Sequence, residues 1–150
     1  MSKSNLKEKG FEELLENGKL KYIRSGTVTK REGLLFTAVQ YINQRLHSPM
    51  LYRALNKKYV FTSLSQPFLP SVAMHHDTTV KMVSEFVKSM KDNQNVVFCL
   101  HGILKPNEKG YNKRFNLDYD RFEQFLNYLS SDKSIVVMTT LNLVDNAIVK

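Results

Sequence analysis

One histidine stands where the sequence places a reacting group. Five apolar residues run together in the stretch 95–103, from Val96 to Leu100, and His101 follows them directly. A continuous apolar run of this length predicts a strand that is covered on both faces. In parallel sheets the catalytic groups gather at the carboxyl ends of the strands, and imidazole exchanges protons readily near neutral pH. His101 is therefore a candidate acid or base; the alternative is a histidine that only hydrogen-bonds a loop at the strand end.

Arg24 and the triplet 75–77 are further candidates for a chemical role. Residues 20–24 alternate as a short strand that ends on Arg24, so in a parallel sheet this guanidinium would lie on the same rim as His101. The triplet His75, His76 and Asp77 offers metal ligands by type. Consecutive residues point in different directions, however, and chelate a metal poorly compared with ligands one helical turn apart. The triplet favours a helix N-terminal cap with two surface histidines, and no metal site is predicted in the chain.

The elements that must position these groups alternate along the chain. Strands are predicted over 20–24, 58–65, 95–100 and 134–139, and helices over 6–16, 31–46, 50–55, 119–129 and 141–148. Asp77 or Thr78 caps a further helix that carries Val80 to Met90, and Asn116 or Asp118 caps the helix at 119–129. Pro67 and Pro70 bracket a loop that arrives at residues 72–76. This order predicts one folded unit over residues 1–150, an α/β fold with a mainly parallel sheet and flanking helices. The spacing of Leu35, Val39, Ile42 and Leu46 predicts a core-facing stripe on its helix. A partly covered sheet leaves edge strands, from which we expect a missing partner segment or self-association.

Composition restricts the classes of function. The single Cys99 excludes an intrachain disulfide and is expected to be a small core residue. The net charge of +8, concentrated in the first half, favours a polyanionic partner such as nucleic acid or an anionic glycan; a solvated basic face is the alternative. The chain has neither an apolar run of membrane-spanning length nor a signal peptide, so as given it is expected to be cytoplasmic and without a membrane span.

The order of motifs after His101 resembles a known family. A strand, His-Gly-Ile, a long loop, Asp-Tyr-Asp-Arg-Phe-Glu-Gln-Phe-Leu-Asn-Tyr-Leu at 118–129, a further apolar run and Thr-Thr-Leu-Asn-Leu-Val-Asp at 139–145 follow one another. This order resembles the last part of the polysaccharide deacetylases, carbohydrate esterases of a distorted β/α barrel. The resemblance implies a partial (β/α) barrel, and hydrolysis of N- or O-acetyl groups on amino-sugar polymers as the activity of the complete domain.

The resemblance also implies an incomplete site. In that family an early Asp-Asp motif supplies the base and one metal ligand, and a downstream His-x-x-x-His supplies two more. Neither motif occurs here, and their expected place precedes Met1. The chain is thus expected to be the carboxyl-terminal part of such a domain, inactive alone. It would hold a divalent metal such as zinc only if the missing motifs were supplied.

Four residues take roles by resemblance. His101 would be the general acid that protonates the leaving amine, and Leu100 would line the acetyl pocket, although the family's Leu-x-His places its leucine where Cys99 stands here. Arg24 matches the first residue of the family's Arg-x-Pro-Tyr motif, but Ser-Gly-Thr follows it. Tyr111, with Phe115 in the same loop, is a candidate sugar-stacking residue; a plain flexible loop is the alternative.

Two classes of function remain open at this stage. The first is a polysaccharide deacetylase-like domain that acts on, or only binds, an acetylated polysaccharide. The second is a basic, non-enzymatic module for nucleic acid or an anionic glycan. The aromatic residues fall mostly at predicted core positions instead of alternating with Lys and Arg on a surface, which disfavours nucleic acid. Salt separates the two classes, because affinity for phosphates falls steeply with ionic strength.

Overall fold

The computed structural model of the chain describes residues 23–24, 34–62, 68–113, 115–140 and 142–143. In chain order these residues form β1 (Ile23–Arg24), α1 (Leu34–Leu46), α2 (Pro49–Asn56), a 3-10 turn (Lys57–Tyr59), β2 (Phe68–Leu69), β3 (Ser71–Met74), α3 (Val80–Lys88), β4 (Val97–Leu100), β5 (Gly102–Leu104), β6 (Asn116–Asp118) and α4 (Tyr119–Ser131). The helix predicted over 6–16 lies outside the described residues, as does most of the one predicted over 141–148.

The described strands pair in parallel, as the alternating order predicts. They form the pairs β1–β2, β3–β4 and β5–β6, each a two-stranded sheet. In the longest pair Ser71 lies opposite Val97 and Met74 opposite Leu100, so both strands end level with each other. The protein is a mixed α/β fold with helices beside short parallel strand pairs, and the strands within the described ranges do not close a barrel.

The core is divided by the β3–β4 pair. On one face the strands meet α2, α3 and α4, and the buried residues of this larger cluster are Tyr52, Val72, Met74, Met82, Val83, Phe86, Leu117 and Phe125. Rings meet edge to face through it, with centroids 5.9 Å apart for Tyr52 and Phe86 and 5.5 Å for Phe98 and Phe125. The opposite face carries Val97 and the buried Cys99, and Val97 belongs to a smaller cluster with Leu69 and Leu143.

The helix boundaries follow from local chemistry. Ser48 caps α2, its hydroxyl accepting a hydrogen bond from the amide of Leu51, and Pro49 fills the first position, where a helix needs no N–H. Thr79 caps α3 in the same way, accepting from the amide of Met82. The predicted cap at Asp77 or Thr78 is thus one or two residues early. Asp118 stands at the N-cap of α4, as predicted, but makes no capping hydrogen bond there.

Two predicted strands are wrong within the described residues. In the first, Lys57–Tyr59 prolongs α2 as a 3-10 turn, and beyond it Phe61 makes only an isolated antiparallel bridge with Asn95; residues 63–65 lie outside the described ranges. In the second, residues 135–139 have no regular structure, and Val136 and Val137 are exposed. Apolar and β-branched residues favour a strand only where a partner strand pairs with them, and none of the described residues pairs with 135–139.

The predicted core stripe of α1 is also wrong. Leu35 is 80 % exposed and Ile42 and Leu46 are exposed too, whereas Asn43 is the buried residue of the helix. The helix therefore packs on α2 with a side rotated from the apolar stripe, and Asn43 on that side lines a cavity. None of the helices in the described ranges has both the length and the apolar character needed to cross a membrane.

Candidate functional site

Two histidines stand side by side at one rim of the fold. His75 follows β3 and His101 follows β4, and the parallel register brings both to the same carboxyl end. Their rings are nearly parallel, with an interplanar angle of 4° and centroids 6.5 Å apart. His101 is exposed and His75 is half-buried. The rim thus presents one imidazole to solvent and holds a second one behind it.

The surroundings of His75 keep this ring neutral. Burial lowers its pKa below the ordinary value, and the neighbouring His101 and His76 lower it further, while the carboxylate of Asp77 opposes them. A neutral ring beside an exposed one leaves the exchange of protons with a bound molecule to His101. A general acid must come within hydrogen-bond reach of its substrate, and of the two rings the exposed one of His101 can do so.

The loop between β5 and β6 covers the rim with an aromatic ring. Phe115 lies edge-on to His101, with centroids 6.0 Å apart and an interplanar angle of 70°, and is 49 % exposed. The loop is tied back at its base: the hydroxyl of Tyr111 donates to the carboxylate of Asp118, and the side-chain oxygen of Asn116 accepts from the amide of Asn112 at 2.6 Å. These hydrogen bonds hold the base of the loop in the described part of the chain, and a flexible loop stays the alternative to a sugar-binding one.

The sequence-predicted site residues are distributed unevenly over this rim. His101 lies where the strand pattern places it. Leu100 is half-buried and packs against the larger core cluster, and the hydroxyl of Tyr111 is engaged with Asp118, so their substrate-binding roles stay predictions. The backbone of Arg24 ends β1 opposite Leu69, also at the carboxyl end of a parallel strand; its side chain is outside the described part of the structure.

The His75–Asp77 triplet forms a turn and not a metal centre. The amide of His75 donates to the hydroxyl of Thr78 at 3.1 Å, the carbonyl of His75 accepts from the amide of Thr78, and Arg121 donates to the carbonyl of His76. Across the described ranges no three His, Cys, Asp or Glu side chains converge so that they could hold a metal ion. The donor set that is described does not fit zinc, and no chemical step is assigned to a metal here.

The sequence interpretation missed the partnership of His75 with His101. The sequence predicts a loop that arrives at residues 72–76 and no strand between 65 and 95, so it does not reveal the strand end at His75. The strand Ser71-Val-Ala-Met74 has only four residues, so its sequence signal is short. In the structure three of the four are buried, as a strand covered on both faces requires. Asn43 and Tyr52, which line the cavity discussed below, carry no sequence motif that distinguishes them from ordinary helix residues.

Comparison with known proteins finds no relative of this chain. No family model, curated protein or solved structure matches the chain. The function must therefore be argued from the site itself.

Proposed function

We propose that the rim formed by His101, His75 and Phe115 binds an acetylated amino-sugar polymer, as part of a polysaccharide deacetylase-like domain with the partial barrel that the motif order implies. The observation that carries the proposal is the exposed His101 at the carboxyl end of a parallel strand, beside a neutral His75 and beneath the half-exposed ring of Phe115. An aromatic face next to a proton donor suits a sugar ring whose amide nitrogen must be protonated as it leaves.

In the proposed reaction water adds to the acetyl carbonyl carbon and the carbon–nitrogen bond breaks. The departing nitrogen takes a proton from His101, and acetate is the second product. Activation of the water needs a base and an electrophile. In the described part of the chain no three ligating side chains converge, so no metal site that could serve as the electrophile is found there. The 150-residue chain is therefore proposed to bind the polymer without cleaving it.

The test is a titration of the full chain with an N-acetylglucosamine oligomer, followed by NMR and by an acetate assay. We expect saturable shifts of the His101 and Phe115 rings and no acetate. His101→Gln should weaken binding by roughly tenfold, the loss expected when one hydrogen bond worth about 1.4 kcal/mol is removed. The matched control is His47→Gln, because the imidazole of His47 contacts the backbone carbonyl of Asp77 and not the rim.

Three outcomes decide the matter. Saturable shifts at the rim that persist in high salt support the proposal, because a neutral sugar polymer binds without counterion release. No saturable shift, or equal losses in the His101 and His47 variants, overturns it. Acetate released by the chain alone would contradict the absence of a complete hydrolytic site, and His75–Asp77 would then have to be reconsidered.

A further inference from the structure

A polar cavity lies between α1, α2 and the turn that follows β3, and His75 is one of the residues that line it. Its volume is about 120 Å³. It reaches the surface beside the exposed Gln40 and Gln44. Its lining includes Phe36, Asn43, Tyr52, Tyr59, His75 and Asp77.

The cavity wall holds buried polar atoms that are not satisfied by the protein. Asn43 and Tyr52 are each only 5 % exposed. Within the described part of the chain the side-chain oxygen of Asn43, the hydroxyl of Tyr52 and Nδ1 of His75 have no hydrogen-bond partner. Buried polar groups are almost always paired, and an unpaired one is costly. Three such atoms around one cavity indicate that it is built to hold a polar group.

The charge and hydrogen-bond character of the wall select a cation. Burial raises the pKa of Tyr52, and the negative charge of the Asp77 carboxylate raises it further, so this hydroxyl stays protonated. Asn43 offers an acceptor oxygen. The neutral His75 offers a ring nitrogen that accepts when its proton is on the other nitrogen. Acceptors around one carboxylate match a group that carries several N–H donors and a positive charge.

A lysine of the chain shows what the aromatic part of the wall attracts. The ammonium of Lys58 lies over the ring of Phe36, 4.2 Å from its centroid, and 5.1 Å from the centroid of Tyr59. Cations are drawn to ring faces at these distances. Both rings belong to the cavity wall. An ammonium group of the chain itself is thus held against two rings that also line the cavity, although Lys58 is not among the lining residues.

We propose that this cavity binds a small primary ammonium group, held between the carboxylate of Asp77, the polar atoms of Asn43 and Tyr52, and the rings of Phe36 and Tyr59. The size agrees, because a cavity of about 150 Å³ accommodates one benzene molecule and the head group of an amine is smaller. The cavity shares His75 with the sugar-binding rim, but the groups that would hold the ammonium belong to Phe36, Asn43, Tyr52, Tyr59 and Asp77, which the rim does not use.

The test titrates the full chain with methylammonium chloride and follows the side-chain amide of Asn43 and the ring of Tyr52 by NMR, with methanol and sodium chloride as controls. We expect saturable shifts with methylammonium alone. Asp77→Asn should weaken binding by roughly tenfold or more, since a charged hydrogen bond is lost. The fold should persist, because His47 contacts Asp77 through its backbone carbonyl.

Lysine variants give a change in the opposite direction. Lys58→Met should strengthen methylammonium binding, because it removes the resident ammonium from the rings of Phe36 and Tyr59. Lys57→Met removes the same charge from the same 3-10 turn and is the matched control. Methanol shifts equal to those of methylammonium, an unaltered affinity in Asp77→Asn, or identical effects of the two lysine variants would each overturn the proposal and leave a cavity that holds water only.

Discussion

A methyl group added at Gly102 tests how the loop that covers the rim is fixed. Gly102 directly follows His101 and pairs with Asn116 in the β5–β6 register. A Cβ at Gly102 would collide with the side-chain amide nitrogen of Asn116. Asn116 is buried, and its side-chain oxygen accepts from the amide of Asn112 at 2.6 Å. Gly102→Ala therefore forces this side chain to move and to give up the hydrogen bond that ties the loop.

The expected cost follows from two opposing terms. Displacing a buried hydrogen-bonded amide costs about 1–3 kcal/mol. Replacing glycine by alanine restricts the unfolded chain and returns about 0.4–1 kcal/mol, since Gly102 does not have a positive φ. With the middle of each range, the net expectation is a loss of about 1.3 kcal/mol in the free energy of unfolding. Phe115 lies in the same loop as Asn112. When the loop is released, the contact between the rings of Phe115 and His101 should weaken as well.

Urea denaturation measures the first effect, and NMR of the His101 and Phe115 rings measures the second. Combining Gly102→Ala with Asn116→Ala should cost less than the sum of the two single variants, because the second change removes the obstacle. Gly110→Ala is the control: nothing stands near its Cβ, but its φ of +93° disfavours alanine, so its cost should add to that of Asn116→Ala. An unchanged stability of Gly102→Ala, or full additivity with Asn116→Ala, would refute the steric argument.

Three further predictions concern the pH dependence, the core and the loop. In the unfolded chain His75 takes up a proton near its ordinary pKa of 6.5, whereas in the folded chain its pKa is lower. The free energy of unfolding should therefore fall as the pH decreases below about 6.5. In a series of urea midpoints measured against pH, His75→Gln should flatten this fall. Phe86→Ala should cost about 3–5 kcal/mol in a denaturation experiment, and Leu126→Ala, at a 47 % exposed site, under about 1 kcal/mol; equal losses would contradict the assigned core. Tyr111→Phe frees the carboxylate of Asp118 and should speed limited proteolysis of residues 105–113 with little change in the urea midpoint; unchanged cleavage would show that this hydrogen bond does not hold the loop.

The sequence predicts well those elements whose signals are local. The helix at 119–129 is present and continues to Ser131, and the apolar run before His101 is a strand, so the histidine lies at a strand end as expected. Serine or threonine caps and apolar periodicity act within a few residues of one another, and they persist whatever the rest of the chain does. The parallel pairing also follows, since strands and helices alternate in the part that is described.

Features that depend on distant residues escape the sequence. The apolar run 134–139 lacks a described partner strand, while the short segment Ser71–Met74 forms a strand because β4 pairs with it. The exposed stripe of α1 shows the same limit, because the direction a helix faces is set by what it packs on. The second histidine of the site follows from register, and register is a property of two segments, which no local pattern in either reveals.

The single cysteine gives the protein a natural reporter of local opening. Cys99 is 4 % exposed, in β4, two residues from His101. A thiol reacts with a soluble disulfide reagent only when the reagent reaches it, so the intact protein should be modified at the rate at which β4 becomes accessible. When reclosing is faster than the chemical reaction, the modification rate of Cys99 divided by that of a free thiol equals the fraction of molecules that are open. This ratio gives the free energy of that opening. The strand end that carries His101 can therefore be followed in solution without altering a residue.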